Sequence, residues 1–127
     1  MNIGTKYENQ IVQEMTDRGY VAIRTHLSRV IDVIAYNKTH TLFIEAKATR
    51  RKSPRSYASE IRNTKDLCLK NNCRDIFMFA IRLSRNKQIW LNINTMKIDK
   101  KLTTYDLALA ERWANRKRKM LKENGYE

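Results

Sequence analysis

The chain has 127 residues, 42% of them apolar, which suffices for one buried core and leaves too little length for two ordinary domains, so a single domain over 1–127 is expected. Lys and Arg number 26 against 13 acidic residues, giving a formal charge of +13. Self-repulsion of that size adds nothing to folding stability and points to a polyanionic partner, nucleic acid first and an anionic membrane second.

The membrane reading weakens on inspection. The longest apolar run, around Ile76-Phe77-Met78-Phe79-Ala80-Ile81, is far short of the roughly 20 residues that span a bilayer. The first residues, Met1 to Glu8, carry no apolar stretch of signal-peptide type, and a cytoplasmic protein without membrane partners is the expectation. Cys68 and Cys73 have neither redox nor zinc-site spacing and read as reduced, at least partly buried thiols.

In chain order, Tyr7, Ile11 and Met15 recur every fourth position and predict an amphipathic helix from Thr5 to Arg18, with Gly19 at its C-terminal end. Three β-rich runs follow: Tyr20–Arg24, Val30–Tyr36 and Thr41–Ala46. The basic stretch from Lys47 to Arg55 leads into a second helix, about Ser56 to Lys70, with Tyr57, Ile61, Leu67 and Cys68 on one face. Two strands, Asp75–Leu83 and Gln88–Ile93, are joined by the polar turn Ser84-Arg85-Asn86-Lys87. Asp106 then caps a last helix carrying Leu107, Leu109, Ala110 and Trp113. The order α-β-β-β-α-β-β-α predicts a mixed α/β fold, a five-stranded sheet flanked by helices.

Two acids stand where strands should be apolar: Asp32 in the second run and Glu45 in the third. Burying an ionised carboxylate without a partner costs several kcal/mol. A turn centred between Lys38 and Thr39 pairs Tyr36 with Thr41, and counting outward brings Asp32 opposite Glu45. Two like charges roughly 5 Å apart at Cβ are destabilising unless something positive lies between them. A hard divalent cation such as Mg²⁺ suits that position. Lys47 projects from the same face as Glu45 and could orient or deprotonate an attacking water, or stabilise transition-state charge. Glu8 lies toward the buried side of the first helix. The competing account makes these acids structural partners of Lys47 or Arg24.

Asp32 and Glu45-Ala46-Lys47, after a helix bearing Glu8, resemble the PD-(D/E)XK nuclease superfamily. Within it, the series Gly4, Glu8, Gly19, Arg24, Ser28, Asp32, Glu45 and Lys47 is similar to the opening pattern of archaeal and archaeal-virus Holliday junction resolvases. The resemblance covers about residues 4 to 48. Ile31 replaces the family's proline, and the Ser28–Asp32 segment is shorter than in cellular members.

The resemblance implies a restriction-endonuclease-like fold and hydrolysis of DNA at four-way junctions by a homodimer, in the host cytoplasm if the protein is viral. It implies Mg²⁺, replaceable by Mn²⁺, held by Asp32, Glu45 and the Ala46 backbone carbonyl with Glu8 completing the cluster. Lys47 would act on the attacking water and Ser28 would lie near the scissile phosphate. Arg24, Arg29, Arg50, Arg51, Lys52 and Arg55 are the residues expected on DNA. Two rivals are another nuclease of the same scaffold without junction preference and a non-catalytic basic nucleic-acid-binding protein. Trp90, Trp113, Phe77 and Phe79 read as core or subunit-interface aromatics, and Trp90, Met96 or the Leu107/Leu109 face are candidates for a dimer interface that the sequence does not identify. The C-terminal run Arg112, Arg116, Lys117, Arg118, Lys119 and Lys122 fits either a DNA-tracking helix or a solvated helix end.

Overall fold

A computed structural model describes residues 2–25, 30–49 and 54–126, with the side chains of 54–56 excepted. The first helix, α1 (Ile3–Asp17), starts where the Asn2 side chain accepts the Thr5 N–H at 2.8 Å. It buries Tyr7, Ile11 and Met15 completely. Gly19, at φ +91°, turns the chain out of the helix with a backbone that an L side chain would strain.

The strands β1 (Val21–Arg24), β2 (Val33–Tyr36) and β3 (Thr41–Ala48) form an antiparallel meander. A crossover through α2 (Pro54–Lys70) places β4 (Ile76–Ser84) parallel to β3, and β5 (Lys87–Asn92) returns antiparallel to β4. The sheet has six strands in sequence order, one more than expected. The addition is β6 (Lys97–Ile98), which a turn through Met96 at φ +56° folds back onto β5. Two residues are too few to show strand alternation, which is why the sequence pattern misses it. The last helix, α3 (Leu107–Glu123), begins at Asp106, whose carboxylate accepts the Leu109 N–H at 3.1 Å as expected of the capping acid.

Alternation along the strands divides the core into two layers. Val33, Ala35, Ile44, Ala46, Met78, Ala80 and Trp90 pack against α1. Phe77, Phe79, Ile81, Leu91 and Ile93 pack on the opposite face with Tyr57 and Ile61 of α2 and Ala114 and Leu121 of α3. Trp90 is fully buried, the core alternative of its two readings, and Met96 is 4% exposed, so neither is free to supply a dimer surface.

One amide ties α1 to β5. Gln88 Oε1 accepts the Tyr7 hydroxyl at 2.9 Å and the Trp90 indole N–H at 3.2 Å, while its Nε2 donates to Glu14 at 3.0 Å. Leaving such buried donors unmatched costs about 1–3 kcal/mol each. The network lets two large aromatics close the core without stranded polar tips.

Candidate active site

The β2–β3 ladder runs Tyr36↔Thr41 through Val33↔Ile44, the register expected from the turn. Asp32 sits one step beyond it. Its N–H donates to Ile44 O at 2.9 Å, and its Oδ2 accepts the Ala46 N–H at 2.9 Å. The Asp32 carboxylate is therefore pinned to β3 beside Glu45.

Glu45 is 3% exposed on the α2 side of the sheet, while its neighbours Ile44 and Ala46 belong to the α1 core. Burial above all, then the hydrogen bond to Asp32 and that residue's charge, push its carboxyl up to about 10; Lys47 opposes the shift and Glu60 adds to it. Burial and the neighbouring Asp32 charge thus both favour the neutral form of the Glu45 carboxyl.

Lys47 follows on the same face. Burial works against its charge, but Glu45, Glu60 and Asp32 outweigh burial and raise its pKa. The ammonium lies 3.7 Å from Glu45 Oε1 and 3.3 Å from Glu60 Oε2. The Glu60 oxygen is itself shut off from solvent, with the Lys47 charge as its counter-ion.

Glu60 was not singled out by sequence reasoning. The usable signal was its position in α2, three residues after Tyr57 and next to Ile61, both buried. That places an acid on the inner margin of the helix that leaves the Glu-x-Lys strand, the same argument that drew attention to Glu8. Glu8 itself accepts from Arg24 Nε at 3.2 Å, with no hydrogen bond to Asp32 or Glu45. Ser28, Arg29, Arg50, Arg51 and Lys52 lie outside the described residues, as does the Arg55 side chain.

Among the described residues, no three acidic, histidine or cysteine side chains converge as a ready-made metal cage. The donor set nevertheless fits a hard divalent cation. Two opposed carboxylates resist being ionised together, and a divalent ion between them would offset both charges. Mg²⁺ in phosphate chemistry commonly uses one or two carboxylates, with water and substrate oxygens completing its shell.

The family model of the archaeal Holliday junction resolvase (Hjc) matches residues 1–113. The chain belongs to the archaeal Holliday junction resolvase family. No curated protein matches it. Among solved structures, the resolvase is similar to the 1.6 Å structure of Archaeoglobus fulgidus Hjc, a Holliday junction resolvase from an archaeal hyperthermophile. The TM-score is 0.58 and the identity 21%, over 86% of this chain and 96% of the other. That likeness supports the fold, the expected α/β architecture included. Family membership makes the resolvase a DNA-junction nuclease and implies a divalent metal. Among the described residues, no helix is long and apolar enough to cross a membrane.

Proposed function

We propose that this resolvase cuts four-way DNA junctions by Mg²⁺-dependent phosphodiester hydrolysis, acting as a homodimer in the cytoplasm and using one domain per chain. The observation that carries the chemical assignment is the Asp32 carboxylate pinned to β3 beside the buried Glu45, with the Lys47 ammonium between Glu45 and Glu60 on the same face. Asp32 and Glu45 would hold the ion, with the Ala46 carbonyl beside them. Bound there, Mg²⁺ supplies the charge that polarises the phosphate and acidifies an attacking water.

Lys47 remains charged in this setting, which favours stabilising negative charge on the phosphate in the transition state over taking a proton from water. Glu8 orders Arg24 at 3.2 Å and leaves that guanidinium to meet phosphate. Ser28 and Arg29, with Arg50, Arg51, Lys52 and Arg55, complete the proposed DNA contacts.

Resolving a junction needs cuts in two opposed strands, and each chain supplies one cluster. A two-fold dimer matches the approximate symmetry of the substrate. Exposed apolar side chains available to such an interface include Val21, Ile23 and Tyr36 on β1 and β2, and Leu107 and Leu109 on α3.

The test is incubation with labelled four-way, duplex and single-stranded DNA, with and without Mg²⁺. Paired symmetric nicks in the junction that need Mg²⁺ are expected. Cleavage of linear duplex at an equal rate would leave a nuclease without junction preference, and binding without cleavage would leave a non-catalytic protein.

A further inference from the structure

The basic run of α3 is not used by the site described above. The helix has 17 residues and turns Ala110, Ala114, Lys117 and Leu121 into the core. At 100° per residue, Arg112 and Lys119 lie diametrically opposite that buried stripe, with Arg116 beside them. All three are exposed. Among the described residues none of the three is in an ion pair.

Helix electrostatics does not account for this ridge. Cations complement the macrodipole only in the last turn, which covers Lys122 but not Arg112 or Arg116. Like charges at Arg112 and Arg116, four apart, oppose helix formation. The acids on the helix do little to relieve it. Glu111 is drawn 3.9 Å from Lys100, and Glu123 sits at the final residue. Three unpaired cations on one solvent face therefore carry a small cost with no return inside the folded chain.

The ridge also has a definite place relative to the catalytic cluster. Lys117, on the inner side of α3, holds its ammonium 5.7 Å from the centre of the Tyr57 ring. Tyr57 and Glu60 are one turn apart on α2, so α3 lies beside α2 on the face of the sheet that presents Glu45 and Lys47. The ridge and Lys47 are thus both served from the α2/α3 face of the sheet, the side from which a bound duplex would have to meet them.

We infer that Arg112, Arg116 and Lys119 form a second DNA-contact surface, which grips the phosphate backbone of a double-stranded arm away from the cut. The inference rests on the nuclease reading above and adds a surface to it. Arg116 and Lys119 lie past residue 113, where the family match ends. From Arg112 to Lys119 the helix rises about 10 Å, which spans roughly three phosphates of one strand at 3.4 Å each. Charge complementarity favours a DNA backbone, read without sequence preference, with Leu109 the exposed apolar neighbour at one edge of the stripe.

The test is the triple variant Arg112→Ala, Arg116→Ala, Lys119→Ala, set beside a variant with Arg112→Lys and Arg116→Lys. Junction affinity is measured from low to moderate salt. The triple alanine variant should weaken binding by about tenfold or more and flatten the plot of log K against log salt by about 2 to 3, near 0.9 for each lost phosphate contact. The lysine variant should keep the wild-type slope. Cleavage at saturating DNA and the melting temperature should stay at wild-type values in both. An unchanged affinity and slope in the triple variant would overturn the inference while wild-type cleavage still upheld the nuclease reading. A wild-type protein that cuts no DNA would instead sink that reading.

Discussion

The Lys47 ammonium is held 3.3 Å from Glu60, a residue of the next helix, and 3.7 Å from Glu45, its neighbour on the strand. A flexible four-carbon side chain is thereby fixed from both ends of a strand-to-helix crossover. By this contact Glu60 would act as a positioning residue for Lys47. Replacing Glu60 with alanine should slow single-turnover cleavage by about tenfold to hundredfold through misplacement of the ammonium. Junction affinity should be unchanged, and Glu60→Gln should recover part of the rate. Equal rates in all three proteins would remove Glu60 from the mechanism.

Asp32, Glu45 and Lys47 should separate chemistry from binding. Alanine at any one of them should reduce cleavage by about a thousandfold or more, as expected when preorganised charge at the reacting phosphate is lost. Gel shifts with junction DNA should show retained binding, tightened for Asp32→Ala because one negative charge near phosphate is gone. Wild-type cleavage by both Asp32→Ala and Glu45→Ala would show that the metal site lies elsewhere.

Glu45 also ties stability to pH. Its carboxyl moves from an ordinary 4.5 when unfolded to about 10 when folded, so between those values the folded chain holds the extra proton. Stability is then greatest below the unfolded value and falls as pH rises toward the folded one, by at most about 1.4 kcal/mol per unit. In EDTA, the urea midpoint of the wild type should drop from pH 6 to pH 8.5. Glu45→Gln should flatten that dependence and raise the midpoint at pH 8.5, while abolishing cleavage. Parallel pH profiles for the two proteins would contradict the buried-proton account.

Metal removal should mimic the carboxylate variants. EDTA is expected to stop cleavage and leave binding intact, with Mg²⁺ or Mn²⁺ restoring the rate; Ca²⁺, with its looser coordination, should support binding better than turnover. Undiminished cleavage in excess chelator would exclude the assignment of Asp32 and Glu45 as metal ligands.

Light scattering at micromolar concentration should report a dimer. A monomer that cuts linear duplex as fast as junction would remove the paired-nick mechanism.

Much of this was legible in the residues. Tyr36 opposite Thr41 fixed the β2–β3 register, because a two-residue period allows no intermediate alignment, and with it the meeting of Asp32 and Glu45. The spacing of Tyr7, Ile11 and Met15 marked the buried face of α1 for the same kind of reason. What periodicity could not supply was any relation set by packing between distant elements. Glu60 meets Lys47 only because α2 folds back over β3, and the Trp90 indole N–H finds its acceptor in Gln88 only once that tryptophan is buried. The short β6 carried too few residues to leave a pattern.

The Gln88 amide has a consequence for the order in which the molecule can be completed. Tyr7 and Gln88 are 81 positions apart, so the first helix cannot finish docking until most of the chain has been made. Until then its apolar face has only the early strands to lean on, and contacts of such long sequence separation slow folding. Trp90 sits in that same joint. Of the two tryptophans it alone does so, and in a Trp113→Phe background its fluorescence should follow the closing of α1 onto β5 and not the formation of the Asp32–Glu45 hairpin, whose partners are neighbours in the chain.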